Sequence, residues 1–410
     1  MNDADLTPTP PTPPMEPTPE EPTRTELTRT EPTPTGSTPA KKRIEQRRWT
    51  VLFPVVALIA LAAAGLVLFA LGTSSIGIEP LLVGAAAALI PVAFVVSAFL
   101  WIDRWEPEPA KMLLFAFVWG SCGATISSLA FNQTSRVLGD LLTNDGTTFT
   151  AVVGAPIVEE ATKAAFLIAV FVRRRHEFDG VVDGMVYAGI TAAGFAFTEN
   201  IWYFGRVFLQ DGLGGMGSGV IALFVLRGVL SPFAHPLFTA MTGIGVGIAA
   251  STSHATIRVL APIGGYLTAV GLHSLWNFST TVGTGSDFIN LYFLIMVPVF
   301  AGAVAIVVWQ RRREQRIVAG QLAAMAQNRW IANSEVALLA SLNGRRNWLR
   351  AVKRKSGDTA VRSVRNYQVA VTELAFLRHR IEQGTAGQSA EHRHGVLLDT
   401  LHAARAAARR

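Results

Sequence analysis

The stretch APIVEEATKAAFL, residues 155–167, lies within an apolar run that extends over residues 149–172. An apolar run of about 20 residues is long enough to cross the hydrocarbon core of a bilayer as a helix. Further runs of this kind occur at residues 49–71, 81–102, 112–131, 181–203, 233–250, 259–278 and 288–309. The sequence therefore predicts an all-α, polytopic membrane protein with about eight transmembrane helices.

The run at 233–250 is short, and another apolar piece, 220–230, precedes it. Because this piece contains Arg227, we interpret it as a re-entrant or interfacial segment. A ninth span is the alternative.

The net charge of +7 is distributed in a way that predicts the topology. Basic residues concentrate in alternate loops and at both ends of the apolar region, as the positive-inside rule requires for cytoplasmic segments. We therefore expect a multi-pass protein of the cell (plasma) membrane with both termini cytoplasmic. The basic balance therefore reports the topology of a protein whose partner is the lipid bilayer, and no nucleic-acid partner is needed to explain it. The residues concerned are Lys41, Lys42, Arg43, Arg47, Arg48, Arg104, Lys111, Arg173, Arg174, Arg175, Arg258, Arg311, Arg312, Arg313 and Arg316.

Two flanking regions differ in composition from the membrane region, which spans residues 41–310. Residues 1–40 are rich in Pro and Thr and predict a disordered cytoplasmic segment. Residues 311–410 are basic with helical patterning and predict a helical cytoplasmic tail. The single cysteine, Cys122, excludes intrachain disulfides and any cysteine-based metal cluster.

Ionisable side chains within the apolar runs are few, and such residues mark a functional site by default. With the predicted topology, they fall in the outer half of the membrane and are able to line one cavity. They are Glu159, Glu160, Lys163, Glu199, His235 and His273.

Helical spacing limits how these residues pair. Lys163 is four residues after Glu159 and three after Glu160, so it can pair with either carboxylate. Adjacent residues point about 100° apart on a helix, so one glutamate pairs with Lys163 while the other faces the cavity. We predict that Glu159 forms the supporting pair with Lys163 and that Glu160 is the general base, with His273 as its partner.

Two asparagines adjoin these groups. Asn277 shares a helix face with His273 and is placed to orient the imidazole or to bind a substrate carbonyl. Asn200 directly follows Glu199.

Carboxylates and histidines in a wet pocket within lipid suit hydrolysis by either of two routes. A desolvated glutamate helped by a histidine can activate water as a general base. Alternatively, two histidines and a carboxylate bind Zn²⁺ and leave a position open for water. The candidate zinc ligands are His235, His273 and Glu199, although the HExxH zinc motif is absent.

Structural roles are the alternative for several of these residues. Glu159 with Lys163 would be a structural ion pair, and His235 a capping or interfacial residue. His273 with Asn277 would bond between helices. For the acidic residues near the cytoplasmic ends of the runs, Asp103, Glu108 and Asp183, we expect structural roles only.

The chain resembles the PrsW-type intramembrane proteases, which belong to the wider superfamily of CAAX prenyl proteases and bacteriocin-processing membrane enzymes. The resemblance covers about residues 50–310, and it lies in five ordered blocks. These are IDRWEPEPAKMLLFAFVWG (102–120), VEEATK (158–163), DGMVYAGITAAGFAFTENIWYF (183–204), SPFAHPLFTAMTGIGVG (231–247) and HSLWN (273–277).

This resemblance implies a helical protease that cuts a membrane-anchored protein, as PrsW proteins cut an anti-sigma factor at its external side. By position it puts catalytic weight on Glu159, Glu160, Glu199 and His273, with His235 as a further member of the site. The family has been called a metalloprotease family, while relatives look like glutamate-dependent hydrolases, so zinc and glutamate-only mechanisms both stay open.

Two other functions are compatible with buried carboxylates and histidines. An ion-coupled transporter would use them as a proton relay, but it predicts internal symmetry that the sequence lacks. A non-catalytic, protease-like membrane scaffold would not need the full set of Glu and His residues.

Overall fold

The computed structural model describes residues 40–105, 107–174, 178, 180–384, 386 and 390–408, with side chains from residue 56 onward. The Pro/Thr-rich segment predicted at residues 1–40 therefore lies, except for Ala40, outside the described residues. By its internal contacts the chain divides into two units, Met1–Val56 and Ala57–Arg410. The described residues of the first are helical, and all that follows concerns the second.

The described residues form α-helices and no β-strand. The fold-class prediction of an all-α protein is thus confirmed. The helices are α1 Ala40–Ile76, α2 Ile78–Ile102, α3 Ala110–Val118, α4 Thr125–Thr143, α5 Gly146–Phe149, α6 Ala155–Arg173, α7 Val181–Asp211, α8 Gly219–Phe224, α9 Ala234–Ser251, α10 Ala255–Thr281, α11 Gly285–Leu291, α12 Val297–Gln327, α13 Asn333–Leu339, α14 Leu342–Glu382 and α15 Ala390–Ala408. Intervening π-helical stretches are Trp119–Ala124, Thr150–Gly154, Val225–Leu230 and Tyr292–Met296.

Within the described chain, 7 helical segments are long and apolar enough to cross a membrane. The multi-pass architecture predicted from the sequence is thereby supported. The segments are Val56–Ile76, Ile78–Ile102, Ala110–Thr143, Val181–Asp211, Gly219–Ser251, Ala255–Thr281 and Gly285–Gln327.

The predicted span at 149–172 is not among these segments, although it is helical. It forms the π-helical stretch Thr150–Gly154 and α6, and it differs from the seven segments in carrying three charged residues, Glu159, Glu160 and Lys163, within its apolar run. That α6 crosses the membrane stays a prediction. The apolar piece at 220–230 is α8 with its π-helical stretch, and it continues into α9 within the segment Gly219–Ser251.

Helix α7 is the centre of the membrane region, and every residue from Asp183 to Phe195 is buried. It packs against α2, α3 and α9. Glycine allows the closest approaches to α7. A Cβ atom added at Gly120, in the π-helical stretch after α3, would lie only 1.9 Å from the carbonyl oxygen of Thr191 on α7.

The C-terminal tail forms a second apolar core from α12, α13, α14 and α15. Its helical character is as predicted, but α12 runs without a break through residue 310, where the domain boundary was predicted. Trp105, from the connection between α2 and α3, is buried in this core at 4% exposure. The tail is therefore anchored to the membrane region by that connection.

The connections that carry the predicted cytoplasmic charges lie together at one end of the helices. Asp103, Gly180 and Thr252 from three different connections line one cavity of ≈ 680 Å³ together with Arg313 and His379 of the tail. The alternate loops and the tail thus share a side, as the charge pattern predicts.

Candidate active site

Four helices bring the predicted polar residues into one buried cluster. The residues come from α6, α7, α9 and α10, at positions about 10 to 18 residues from the end of the helices that carries the basic connections. At about 1.5 Å per residue this is roughly 15–27 Å along the helices. The cluster comprises Glu159, Glu160, Lys163, Glu199, His235 and His273.

Glu160 is fully enclosed in the cluster, with a side chain that is 0% exposed. Its Oε1 accepts a hydrogen bond from Lys163 Nζ at 2.9 Å and lies 3.1 Å from His273 Nδ1. Its Oε2 accepts from the hydroxyl of Thr239 at 2.8 Å. Both carboxylate oxygens are therefore engaged by donors from three helices.

Glu159 is in the opposite situation. Its Oε2 is buried and has no hydrogen-bond partner among the described residues. The atom lies 3.7 Å from Lys163 Nζ and 3.8 Å from His273 Nε2. An acceptor-only carboxylate oxygen left open in this way is available to a bound water or a cation.

The two adjacent glutamates match the predicted arrangement only in part. Lys163 pairs with Glu159 at 3.7 Å, as predicted, but its shorter contact, 2.9 Å, is with Glu160, for which we predicted a side chain facing the cavity. The physical reason is tertiary: the hydroxyl of Thr239 and the imidazole of His273 both hold Glu160 inward.

The two imidazole rings are neighbours, with centroids 4.9 Å apart and planes at 87°. His235 Nδ1 lies 3.3 Å from Lys163 Nζ, and its Nε2 lies 2.9 Å from Glu199 Oε2. Because an ammonium group only donates and a carboxylate only accepts, these contacts assign the proton of His235 to Nε2.

By the same argument, His273 carries its proton on Nδ1, which faces the Glu160 carboxylate. Its Nε2 lone pair then faces Glu159. The ring of Phe238 stacks on His273 at a centroid distance of 5.1 Å and fixes its plane. Each histidine is therefore oriented by one carboxylate.

Arg227, which the sequence analysis did not assign to the site, belongs to this cluster. Its Nη2 is hydrogen-bonded to Glu199 Oε2, and its Nε donates to Asn200 Oδ1 at 2.7 Å. The available signal was that Arg227 is itself an ionisable residue within an apolar run. Thr239 was also missed, and a hydroxyl on an apolar helix gives no comparable signal.

The two asparagines have structural partners. Asn200 accepts from Arg227, as described above, and Asn277 Nδ2 donates to the carbonyl oxygen of Ala151 at 2.8 Å. Asn277 therefore ties α10 to the π-helical stretch Thr150–Gly154, and it makes no hydrogen bond to His273 among the described residues. The alternative role, binding a substrate carbonyl, stays a prediction.

Three of these side chains form a possible metal-binding group. One ligand atom from each of Glu159, His235 and His273 lies within 4.8 Å of the others. Two imidazole nitrogens and a carboxylate oxygen are a donor set typical of catalytic zinc, and the open Glu159 Oε2 fits it. His235 would bind a metal through Nδ1, because its Nε2 faces Glu199, and Lys163 Nζ, 3.3 Å from Nδ1, would then give up this contact. The carboxylate ligand predicted from the sequence was Glu199, whose Oε2 contacts Arg227 and His235, and its role as a ligand stays a prediction.

Access to the cluster is from one side. The side chains of Glu199 and Arg227 are 23% and 20% exposed, whereas those of Lys163 and Glu160 are 0% exposed. The cluster is therefore open to its surroundings on the side where Glu199 and Arg227 lie.

Comparison with known proteins relates this site to a family. Residues 108–303, which include every member of the cluster, match the family described as PrsW family intramembrane metalloprotease. The chain is therefore similar to the PrsW family over the segment that carries the site. The resemblance read from the five sequence blocks is thereby confirmed.

Proteins called Protease PrsW from three bacteria are similar to this chain. That of Geobacillus kaustophilus (strain HTA426) is 27% identical over 162 residues, which are 40% of this chain and 64% of the relative. That of Bacillus subtilis (strain 168) is 28% identical over 162 residues, covering 40% and 66%. That of Clostridioides difficile (strain 630) is 27% identical over 164 residues, covering 38% and 61%. The chain thus spans slightly less than two thirds of each PrsW relative, and no solved structure matches it.

Proposed function

We propose that this chain is an intramembrane endopeptidase that hydrolyses a peptide bond in a membrane-anchored protein. The observation that carries the proposal is the open Oε2 of Glu159, buried beside two histidines whose other nitrogens are held by carboxylates. A carboxylate oxygen in this position is able to engage the water that attacks a peptide carbonyl.

The same three side chains would hold a metal. Glu159, His235 and His273 are the ligands that the structure offers to Zn²⁺. When bound, zinc would lower the pKa of a water molecule and polarise the scissile carbonyl.

The remaining members of the cluster orient these three. Glu160 accepts the Nδ1 proton of His273, and Glu199 accepts the Nε2 proton of His235. Carboxylate–histidine pairs of this kind fix the tautomer and the direction of the free nitrogen. Lys163 lies between Glu160 and the His235 ring and balances part of the negative charge.

Glu159 also provides a place for a proton. In the route without a metal, no donor occupies its Oε2, so this atom is able to take a proton from the attacking water and pass it to the leaving amine. Replacement of the carboxylate by an amide removes both the proton acceptor and the metal ligand.

The substrate class follows from the position of the site. The cluster lies far from the basic end of the helices, which the charge pattern assigns to the cytoplasm. With both termini cytoplasmic in the plasma membrane, the cut falls at the outer side of the substrate's membrane segment. An anti-sigma factor, the type of substrate that the family resemblance implies, fits this description.

The test is a comparison of membrane and extracellular proteomes from cells that carry wild-type protein, Glu159→Gln or Glu79→Gln. Glu79 is an exposed glutamate in the first turn of α2 and serves as the matched control. We expect at least one membrane-anchored protein to be cut with wild type and Glu79→Gln but intact with Glu159→Gln. Identical proteomes from folded, equally abundant variants would contradict the proposal and favour a transporter or a scaffold.

The role of zinc is tested on the purified protein by elemental mass spectrometry. We expect about one equivalent per chain in the wild type and loss of zinc in Glu159→Gln and His273→Gln. A protein that cleaves without bound zinc and in the presence of chelator would instead assign Glu159 the role of general base alone.

A further inference from the structure

Arg227 is the one member of the cluster, among the described residues, that lies on the short segment before α9. It belongs to the π-helical stretch Val225–Leu230, which ends shortly before α9 begins at Ala234. π-Helical turns frequently occur at functional sites because they change the register of a helix locally. An arginine on such a turn within an apolar segment needs an explanation.

Arg227 makes three contacts with one helix, α7. Its Nη2 is hydrogen-bonded to Glu199, and its Nε donates to Asn200 Oδ1 at 2.7 Å. The guanidinium carbon lies 4.1 Å from the ring centroid of Tyr203. A planar guanidinium held by two acceptors and an aromatic face has little freedom to rotate.

One oxygen atom connects this arginine to the histidine. Oε2 of Glu199 accepts from Arg227 Nη2 and lies 2.9 Å from His235 Nε2. Fixing this oxygen therefore fixes where the N–H of His235 points. The opposite nitrogen, Nδ1, is consequently turned toward Lys163 and the interior of the cluster.

We propose that Arg227 is a positioning residue, which sets the orientation and the tautomer of His235 through Glu199. The inference rests on the proposed function for its catalytic consequence, but the geometry of His235 is measurable without catalysis. Without the guanidinium, the Glu199 carboxylate rotates about its side-chain torsions, and the Nε2-protonated tautomer of His235 loses its fixed acceptor. Arg227 itself does not touch the reacting atoms.

The first test is the ¹⁵N-histidine NMR spectrum of the full chain in detergent after treatment with chelator. His235→Gln assigns the His235 signals. We expect the Nε2-protonated pattern in the wild type and its loss, or a mixture of tautomers, in Arg227→Gln. Arg206→Gln is the matched control, because Arg206 is an exposed arginine of α7 that lies over Trp202.

The second test is kinetic and uses the substrate found by the proteome comparison. We expect Arg227→Gln to lower kcat by roughly 10–100-fold, the usual effect of losing a residue that orients a ligand or a catalytic histidine. KM should change little, because Arg227 acts on the site and not on substrate binding. Arg227→Lys restores the charge without the planar fork and should recover part of the loss.

Two outcomes would overturn the inference. One is an unchanged His235 tautomer in a folded Arg227→Gln protein, and the other is a rise in KM with kcat preserved. If the wild-type protein cleaves nothing, the proposed function fails, while the NMR comparison still decides the role of Arg227. Unfolding of Arg227→Gln with a normal spectrum for Arg227→Lys would assign the arginine a structural role only.

Discussion

Removal of the Lys163 ammonium group is the perturbation whose effect the structure defines best. Lys163 is fully buried, lies 2.9 Å from Glu160 Oε1 and stands over the ring of Phe195 at 4.0 Å. Lys163→Met keeps the length and the apolar part of the side chain but leaves the Glu160 carboxylate without its cation. The remaining donors to Glu160 are Thr239 and His273.

The expected loss of folding free energy is large. Breaking a buried ion pair by removing one partner costs about 3–5 kcal/mol, because the other charge stays buried and uncompensated. The double variant Lys163→Met/Glu160→Gln removes both charges, and its amide oxygen still accepts from Thr239. We therefore expect the two substitutions to be non-additive, with an interaction energy of about 1–3 kcal/mol.

The assay is unfolding by SDS titration in mixed micelles, followed by tryptophan fluorescence. Lys111→Met is the control, since Lys111 is exposed at the start of α3. A loss for Lys163→Met that is no larger than for Lys111→Met would refute the account of the ion pair. Simple additivity in the double variant would refute it as well.

Three further substitutions test the fold around the site. Gly120→Ala places a Cβ atom 1.9 Å from the Thr191 carbonyl oxygen, so we expect a lower unfolding midpoint. Gly264→Ala is the control and should leave the midpoint unchanged, because a Cβ atom there would have no neighbouring atom within 4 Å. Burial raises the pKa of Asp103 from 3.8 to about 7, against a hydrogen bond from the Glu108 amide that lowers it. Folding thus favours the protonated form of Asp103. Its contribution to the stability of the folded protein is present below pH about 4 and is lost as the pH rises to about 7. Relative to Asp103→Asn, the wild-type unfolding midpoint should fall across this range, and parallel curves would contradict the assignment. Trp105→Ala removes the side chain that is buried in the tail core beneath Arg345, so limited trypsin digestion should cut the tail faster. Trp309→Ala, at an exposed position, is the control and should not change the rate of digestion.

The membrane helices and the site candidates could be predicted because lipid restricts what a sequence can contain. Apolar runs report helices directly, and ionisable residues in such runs are rare enough to identify a site. For this reason the sequence alone indicated Glu159, Glu160, Glu199, His235 and His273 as candidates for one site. The hydrogen-bond partner of each could not be predicted, because it depends on neighbouring helices.

Tertiary contacts explain each difference from the sequence analysis. The spacing of Glu159, Glu160 and Lys163 allowed either pairing, and donors on α9 and α10 decided it in favour of Glu160. Asn277 donates to the carbonyl oxygen of Ala151, which lies in the π-helical stretch just before α6. Contacts between residues 70 or more positions apart leave no periodic pattern in a single sequence. The contact of Arg227 with Glu199, 28 residues apart, leaves no such pattern either.

The central claim is that Glu159 is part of a hydrolytic centre, and reconstitution tests it most directly. The experiment places each purified protein in lipid vesicles with the membrane-anchored substrate identified by the proteome comparison, and it compares wild type, Glu159→Gln and Glu79→Gln. Mass spectrometry then locates the ends of the products. We predict one cut at the outer end of the substrate's membrane segment with wild type and Glu79→Gln, and none with Glu159→Gln. Cleavage by folded Glu159→Gln at the wild-type rate would contradict the claim.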